Sequence, residues 1–292
     1  MTKIKNILAF LILGFLIYSC ENSTTVTEDD FDHEAQAIID NDSLVKFLKN
    51  HFFDTSIDSV KALTSGQTAL FDDVNLKRMD VTENEIDYKL YYYVNNVGIP
   101  DPVKDFPTVM DSIFTTYYGQ RIVNTDSIST SFDSNTSGIW FTLNNVIRGW
   151  SHGFTNFKGG KNITDNGPIT YENGGKGILF IPSGLAYRNT GSGSAILANE
   201  NLLFYFDLWD IAENTDHDND GIPSIFEDPD EDGDPRNDDT DGDLITNFID
   251  ADDDGDGKLT IEEDTDGDGD PRNDFSDPNN PTLPDYLNPA IK

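Results

Sequence analysis

The chain has little positive charge and almost no sulfur. Its 292 residues contain 19 Lys and Arg against 54 Asp and Glu, a formal net charge of −35. Phosphate contacts need a basic patch, so nucleic acid is excluded as a partner. The single cysteine, Cys20, rules out an intrachain disulfide and a cysteine-based zinc site. The four histidines, His33, His51, His152 and His217, lack ligand-like spacing. Gly174, Gly175 and Gly177 lack the Lys-Ser/Thr that completes a phosphate loop. No Ser–His–Asp set or catalytic metal constellation appears, which leaves a hydrolase with little support. The one strongly apolar run, residues 7–18, is too short for a stable transmembrane helix.

That run has a different reading. Lys3 and Lys5 precede it and Ser19-Cys20 follows, the layout of a secretory signal. Ile17, three positions before the cysteine, makes the junction resemble a bacterial lipobox. Residues 1–20 are then a lipoprotein signal with Cys20 as the acylated first residue of the mature chain; ordinary cleavage leaving a free thiol is the alternative. Acyl chains each add about 0.8 kcal/mol per buried methylene, enough when several are present to hold the protein on a membrane. The implied location is the bacterial cell envelope, outer membrane, on its periplasmic or surface face. Residues 21–41, polar and acidic, read as a tether. Residues 42–85 form an N-terminal helical segment: Asp42 caps a helix over 42–52 whose Leu44, Phe47, Leu48 and Phe52 share one face, and Ile57, Val60 and Leu63 give a weaker helical hint.

At Ile86 the period changes. Tyr88, Leu90, Tyr92 and Val94 alternate, predicting a strand over 86–97. Further strands are expected over 112–118, ending at Phe132, and over 139–143, 177–181 and 202–211, with one short helix over 148–157. Many strands and one helix make an α+β domain on an antiparallel sheet.

Five motifs then fall in order: T-T-Y-Y-G at 115–119, S-F-D-S at 131–134, V-I-R-G-W at 146–150, I-P-S-G-L-A-Y at 181–187 and N-L-L-F-Y-F-D-L at 201–208. Over residues 86–211 the series resembles the FK506-binding (FKBP-type) peptidyl-prolyl isomerases. The resemblance implies a bent antiparallel sheet wrapped around a short helix, with the pocket between them. It assigns Trp150 to the pocket floor and Val146 and Ile147 to its side. Tyr117, Phe132 and Phe204 become aromatic walls, Asp133 the acid near the twisted amide, Tyr187 the hydroxyl on the ligand carbonyl, and Ile196 an aliphatic on the loop above. No cofactor is implied for catalysis, and the partners would be proline-containing polypeptides. The chain departs from the family at Arg188, where glycine is frequent, at Ile139, where a wall is often Phe, and in the loop 196–200, usually rich in proline. An insertion at 160–176, with a small hairpin expected near Ile169-Thr170-Tyr171, is placed to reshape the rim or bind a partner.

The charge imbalance lies beyond the domain. From Ala212 onward there are 28 Asp and Glu and four Lys and Arg. Residues 216–227 and 252–263, 36 positions apart, both satisfy D-x-D-x-D-G-x5-E, the calcium-loop spacing. The ligands would be Asp216, Asp218, Asp220 and Glu227, then Asp252, Asp254, Asp256 and Glu263. D-G-D-P-R-N-D recurs at 232–238 and 268–274, and Asp239, Asp241 and Asp243 repeat the odd-position acids without Gly at six. Pro223 and Pro229 exclude helix-flanked EF-hands. The segment 212–292 is similar to thrombospondin type 3 calcium repeats, with structural calcium expected and expansion when calcium is absent. The combined expectation is an exported, lipid-anchored isomerase that assists folding of envelope proteins. Its rival is a non-catalytic binding module of the same scaffold on a calcium-stiffened stalk.

Overall fold

The computed structural model describes residues 30–292. The expected signal and Cys20 lie outside them. Among the described residues no helix is long and apolar enough to cross a membrane. The residues from Asp32 to Lys292 form one compact unit.

Helix α1 (His33–Asn50) begins nine residues before the expected cap. Asp32, not Asp42, caps it: the Asp32 side chain accepts from the Ala35 amide at 2.8 Å. Residues 33–41 therefore extend the helix rather than the tether. Their polarity hides a tertiary role, since Asp40 is 2% exposed and its carboxylate accepts from Ser183 Oγ at 2.6 Å and Gln36 Nε2 at 2.7 Å. The helix runs into β1 (His51–Asp54), which pairs antiparallel with β2 (Ser59–Ala62). Ile57, Val60 and Leu63 thus fall around a hairpin rather than on a helix. A further strand, β3 (Leu76–Glu83), precedes the change of period at Ile86 and joins the main sheet.

The sheet is completed by β4 (Ile86–Asn96), β5 (Ser112–Val123), β6 (Ser127–Ile128), β7 (Asp133–Thr142), β10 (Gly175–Ile181) and β11 (Leu202–Ala212). The order is β3-β4-β10-β11-β5-β6, with β7 also on β5, and every pairing is antiparallel. Phe132 does not end a strand; it precedes β7, which continues through Ile139 with a register shift between Asn135 and Ile139. The insertion forms the small pair β8 (Lys161–Asn162) and β9 (Tyr171–Glu172). Helix α2 (Arg148–Phe154) lies across the inner face.

The central strands are apolar on consecutive residues because both faces are covered. Tyr88 and Leu90 of β4, Leu179 and Ile181 of β10, and Leu202, Phe204, Phe206 and Leu208 of β11 pack with Trp150, Phe154 and Phe157 on the α2 side. Their neighbours Tyr91, Tyr93, Ile178, Phe180 and Leu203 pack with Leu44, Phe47 and Leu48 of α1 on the other. The N-terminal segment is thus the second cover of the sheet. Two glycines set the approach of α2. A Cβ on Gly149 would lie 2.2 Å from Ile181 and one on Gly153 2.7 Å from Leu179, so only glycine lets the helix lie this close to β10.

The segment beyond Ala212 contains neither α-helix nor strand among its residues, only single 3-10 turns such as Ser224–Phe226 and Thr260–Glu263. It docks on the domain through polar contacts. The Thr215 amide donates to Asp111 Oδ1 at 3.1 Å, and Arg236 Nη2 donates to Glu83 Oε2 at 3.1 Å.

Candidate active site

Strand β7 ends in a one-turn 3-10 helix at Leu143–Asn145, and the chain then reverses into α2. Two bonds fix this corner: Ser151 Oγ donates to the Leu143 carbonyl at 2.5 Å and the Trp150 amide to the Ile147 carbonyl at 2.8 Å. Trp150 is thereby turned down onto the sheet and is 4% exposed. Four aromatic rings surround it edge to face, Tyr117 at 5.0 Å, Phe204 and Phe154 at 5.1 Å and Phe141 at 5.4 Å between ring centres. Phe132 closes the series, 5.5 Å from Phe204 and nearly perpendicular to it. Edge-to-face packing of this kind holds each ring in one orientation.

Above the indole is a cavity of about 510 Å³, of the size that takes a small ligand or a short peptide segment. Its lining includes Tyr117, Phe132, Asp133, Val146, Ile147, Trp150, Tyr187 and Phe204, eight of the nine residues the family resemblance singled out. Ile196 is elsewhere: it is 3% exposed, packs in the core and exchanges backbone hydrogen bonds with Ser192. Phe141, Asn145, Arg148 and Ala186 also line the cavity and were not singled out. For Phe141 the signal was in the chain, since W-F-T ends the strand that leads into the pocket corner. Ile139 is 39% exposed and outside the lining, so the aromatic wall is supplied by Phe141. The insertion is also outside it. Tyr171 instead stacks on Trp209 at 6.4 Å and donates its hydroxyl to Asp210 Oδ2 at 3.0 Å. Arg188 takes the position of the family's frequent glycine with φ of 54°, in the left-handed region glycine favours; it does not line the cavity.

The polar groups sit at one end of this box. Tyr117 donates its hydroxyl to Asp133 Oδ2 at 2.7 Å. Burial first, then the hydrogen bond and charge of Asp133, push the Tyr117 phenol above its ordinary range. Burial and the same charge also raise the Tyr187 phenol. Both hydroxyls therefore keep their protons at neutral pH and serve as donors. The Trp150 Nε1–H is buried without a hydrogen-bond partner. No Ser, Cys or Lys lines the cavity. The arrangement can grip and desolvate a polar planar group, and it holds no nucleophile for breaking a bond.

The acidic segment has its own geometry. Five stretches repeat one turn: the carboxylate at position one accepts from the amide at position six. The pairs are Asp216 and Gly221 at 3.2 Å, Asp228 and Gly233 at 2.9 Å, Asp239 and Leu244 at 3.0 Å, Asp252 and Gly257 at 3.0 Å, and Asp264 and Gly269 at 2.8 Å. Position six has positive φ in all five, from 79° at Leu244 to 102° at Gly221, which explains the glycine there. Clusters of ligand-like carboxylates form at Asp216-Asp218-Asp220 and at Asp252-Asp254-Asp256, within 4.8 Å of one another. Clusters also form at Asp228-Asp230-Asp238 and at Asp239-Asp241-Asp243. The loop at 228 was not singled out because it keeps its buried acid at position eleven, Asp238, rather than twelve.

Glu227 and Glu263 are at most 1% exposed, and neither accepts a hydrogen bond on either oxygen. Burial, followed by the charges of Asp220, Asp218 and Asp253, pushes Glu227 up to about 10. Burial, with Asp254 next, raises Glu263 to about 7. An oxygen-only set of buried, mutually repelling carboxylates fits a hard divalent cation such as calcium.

Three comparisons bear on the domain. Residues 104–208 match the family model of the FKBP-type peptidyl-prolyl cis-trans isomerases. The probable FKBP-type peptidyl-prolyl cis-trans isomerase FkpA of Neisseria meningitidis serogroup B is 34% identical over 97 residues, a match that spans 32% of this chain and 29% of that protein. Among solved structures, FkpA from Escherichia coli is 26% identical with a TM-score of 0.34, over 48% of this chain and 53% of that one. A peptidyl-prolyl cis-trans isomerase from Pseudomonas syringae pv. tomato is 18% identical with a TM-score of 0.39, over 63% and 98%. The similarity to the FKBP-type peptidyl-prolyl cis-trans isomerase family thus lies over residues 104–208.

Proposed function

We propose that the chain catalyses cis-trans isomerisation of X–Pro bonds in polypeptides at the cavity above Trp150. The observation that carries the reading is the edge-to-face aromatic box closed on the indole, with phenol donors at one end and no nucleophile. Rotation about an amide must break its resonance, a barrier of roughly 18–20 kcal/mol. The planar amide is more charge-separated than the twisted one. Moving the bond from water into a dry aromatic cavity therefore disfavours the planar ground state relative to the transition state. The proline ring packs on Trp150. Tyr187 donates to the substrate carbonyl, and Tyr117 holds Asp133 beside the rotating bond. Uncatalysed exchange takes tens to hundreds of seconds, slow enough to limit folding.

The setting is an exported protein held on a bacterial envelope membrane by acylated Cys20, with proline-containing proteins as clients. Structural calcium occupies the loops 216–227 and 252–263, held by Asp216, Asp218, Asp220 and Glu227 and by Asp252, Asp254, Asp256 and Glu263. The test is a proline-limited refolding assay on the full chain. Wild type is expected to accelerate the slow phase, and Trp150→Leu to lower kcat/KM by about tenfold or more, which corresponds to about 1.4 kcal/mol. Capture of unfolded client without acceleration would reject the catalytic reading in favour of a binding module. Cys20→Ser is expected to move the protein from the membrane to the soluble fraction.

A further inference from the structure

The repeat gives two loops of matching sequence, but the fold does not keep them separate. Asp253 occupies the second position of the loop 252–263. In a twelve-residue calcium loop the acids at odd positions and at twelve supply the ligands, so position two faces away from the ion. A residue with no such duty belongs in solvent. Asp253 is instead 2% exposed, and neither of its carboxylate oxygens has a hydrogen-bond partner. It points into the other loop: one oxygen each of Asp253, Asp220 and Glu227 lie within 4.8 Å of one another. Glu227 is 0% exposed with both oxygens unpartnered, and Asp220 is 1% exposed with Oδ2 unpartnered. The counterpart of Asp253 one repeat earlier is His217, so the acid is a departure from the repeat and not a product of it.

We propose that Asp220, Glu227 and Asp253 form an interloop divalent-cation site, in which Asp253 supplies in trans a ligand to the ion held by the first loop. The proposal rests on the calcium reading above and adds the residue that joins the two loops. Three buried carboxylates at this separation repel one another and have lost their hydration. No Lys, Arg or backbone amide satisfies the two oxygens of Asp253 or of Glu227, so a cation is the partner that the geometry calls for. The donors are all oxygen, which selects calcium over zinc or copper. An ion here ties residue 220 to residue 253 and closes the chain between them, which carries the loops that begin at Asp228 and Asp239. The ion then acts as a cross-link for the whole segment rather than as the filling of one loop.

The test is calcium titration of the calcium-free full chain by calorimetry, with thermal unfolding of the acidic segment followed with and without calcium. Asp253→Asn keeps the side-chain shape and removes the charge; Asp253→His restores the residue of the first repeat. Both are expected to weaken one class of calcium sites by about tenfold or more. In the absence of calcium, Asp253→Asn is expected to melt at a higher temperature than wild type, because a repulsive buried charge has gone. That reversal distinguishes a ligand from a structural acid. A calcium-free Asp253→Asn protein that melts lower than wild type overturns the proposal, as does unaltered calcium affinity. A wild-type chain that binds no calcium overturns the calcium reading itself, whereas a wild type that binds and variants that bind equally well overturn only the interloop site.

Discussion

The sheet domain and the acidic segment are buried to similar depth by opposite means. Around the sheet, the fully enclosed side chains are Phe47, Phe154, Phe157, Phe180 and their aliphatic neighbours. Beyond Ala212 the buried apolar side chains are Ile222, Pro235, Phe248, Pro271 and Tyr286, whereas eight acids are buried: Asp220, Glu227, Asp238, Asp253, Asp254, Glu263, Asp274 and Asp285. A hydrocarbon interior is favourable in plain water, at about 25 cal/mol per Å² removed from solvent. An interior of unpartnered carboxylates is unfavourable there. The first region carries its stability within the chain, and on the calcium reading proposed above the second takes it from the solution.

Chelation breaks this contrast most sharply. Removing calcium is expected to strip amide-exchange protection from residues 212–292 while leaving β4, β10 and β11 protected. Each site filled at a hundred times its dissociation constant adds about 2.7 kcal/mol, so loss of several ions exceeds what the few apolar contacts offset. Protection of both regions after chelation would erase the distinction. The complementary change is Phe154→Ala, expected to cost about 3–5 kcal/mol in urea unfolding of the sheet domain, by the same amount with and without calcium.

The junction is expected to respond to pH. Burial opposes ionisation of Glu83, but His152 and Arg236 together hold its carboxyl below the usual range. A carboxylate depressed in the folded state contributes stability above its unfolded value, roughly 4.3, and loses it as pH falls through the lower folded value. Glu83→Gln is therefore expected to cost about 1.5–3 kcal/mol near neutrality, with the difference from wild type closing below about pH 4. A gap that persists in acid would mean that charge is not what joins the regions. A smaller effect is expected at Leu244, which takes φ of 79° where the other four turns have glycine. Leu244→Gly should raise the melting temperature of the calcium-loaded segment, by relief of about 1 kcal/mol of backbone strain.

How far the chain declares itself follows the same division. The pocket is legible because its residues cluster in short motifs on adjacent strands and one helix, where local spacing and packing agree. Ile196 and Ile139 misled because a loop residue and a strand residue have no local signal that tells lining from core or rim. Helix α1 was read short because Gln36 and Asp40 look like tether, and the burial of Asp40 depends on Ser183 and Asn201, far along the chain, which bond its carboxylate and its backbone carbonyl. Strand β3 is an edge strand with mostly exposed or half-buried positions, so it lacks the apolar alternation that marks β4. In the acidic segment the odd-position acids are plain in the sequence, whereas the inward turn of Asp253 depends on how two loops meet.

The cover that α1 gives the sheet also sets the order in which the chain can finish folding. Its partners Ile178, Phe180 and Leu203 are among the last strands to be made, and the Val60 amide waits for the Tyr205 hydroxyl, 145 residues later. These contacts carry a high loop-closure cost and make the domain a non-local one. The family match begins at residue 104, yet β4 ends before it and lies between β3 and β10. A chain cut to 104–208 would leave the ladder of β10 open and the Phe180 face bare, an edge and a patch of the kind that pair with other molecules. The sheet as built is longer than the stretch that matches the family model.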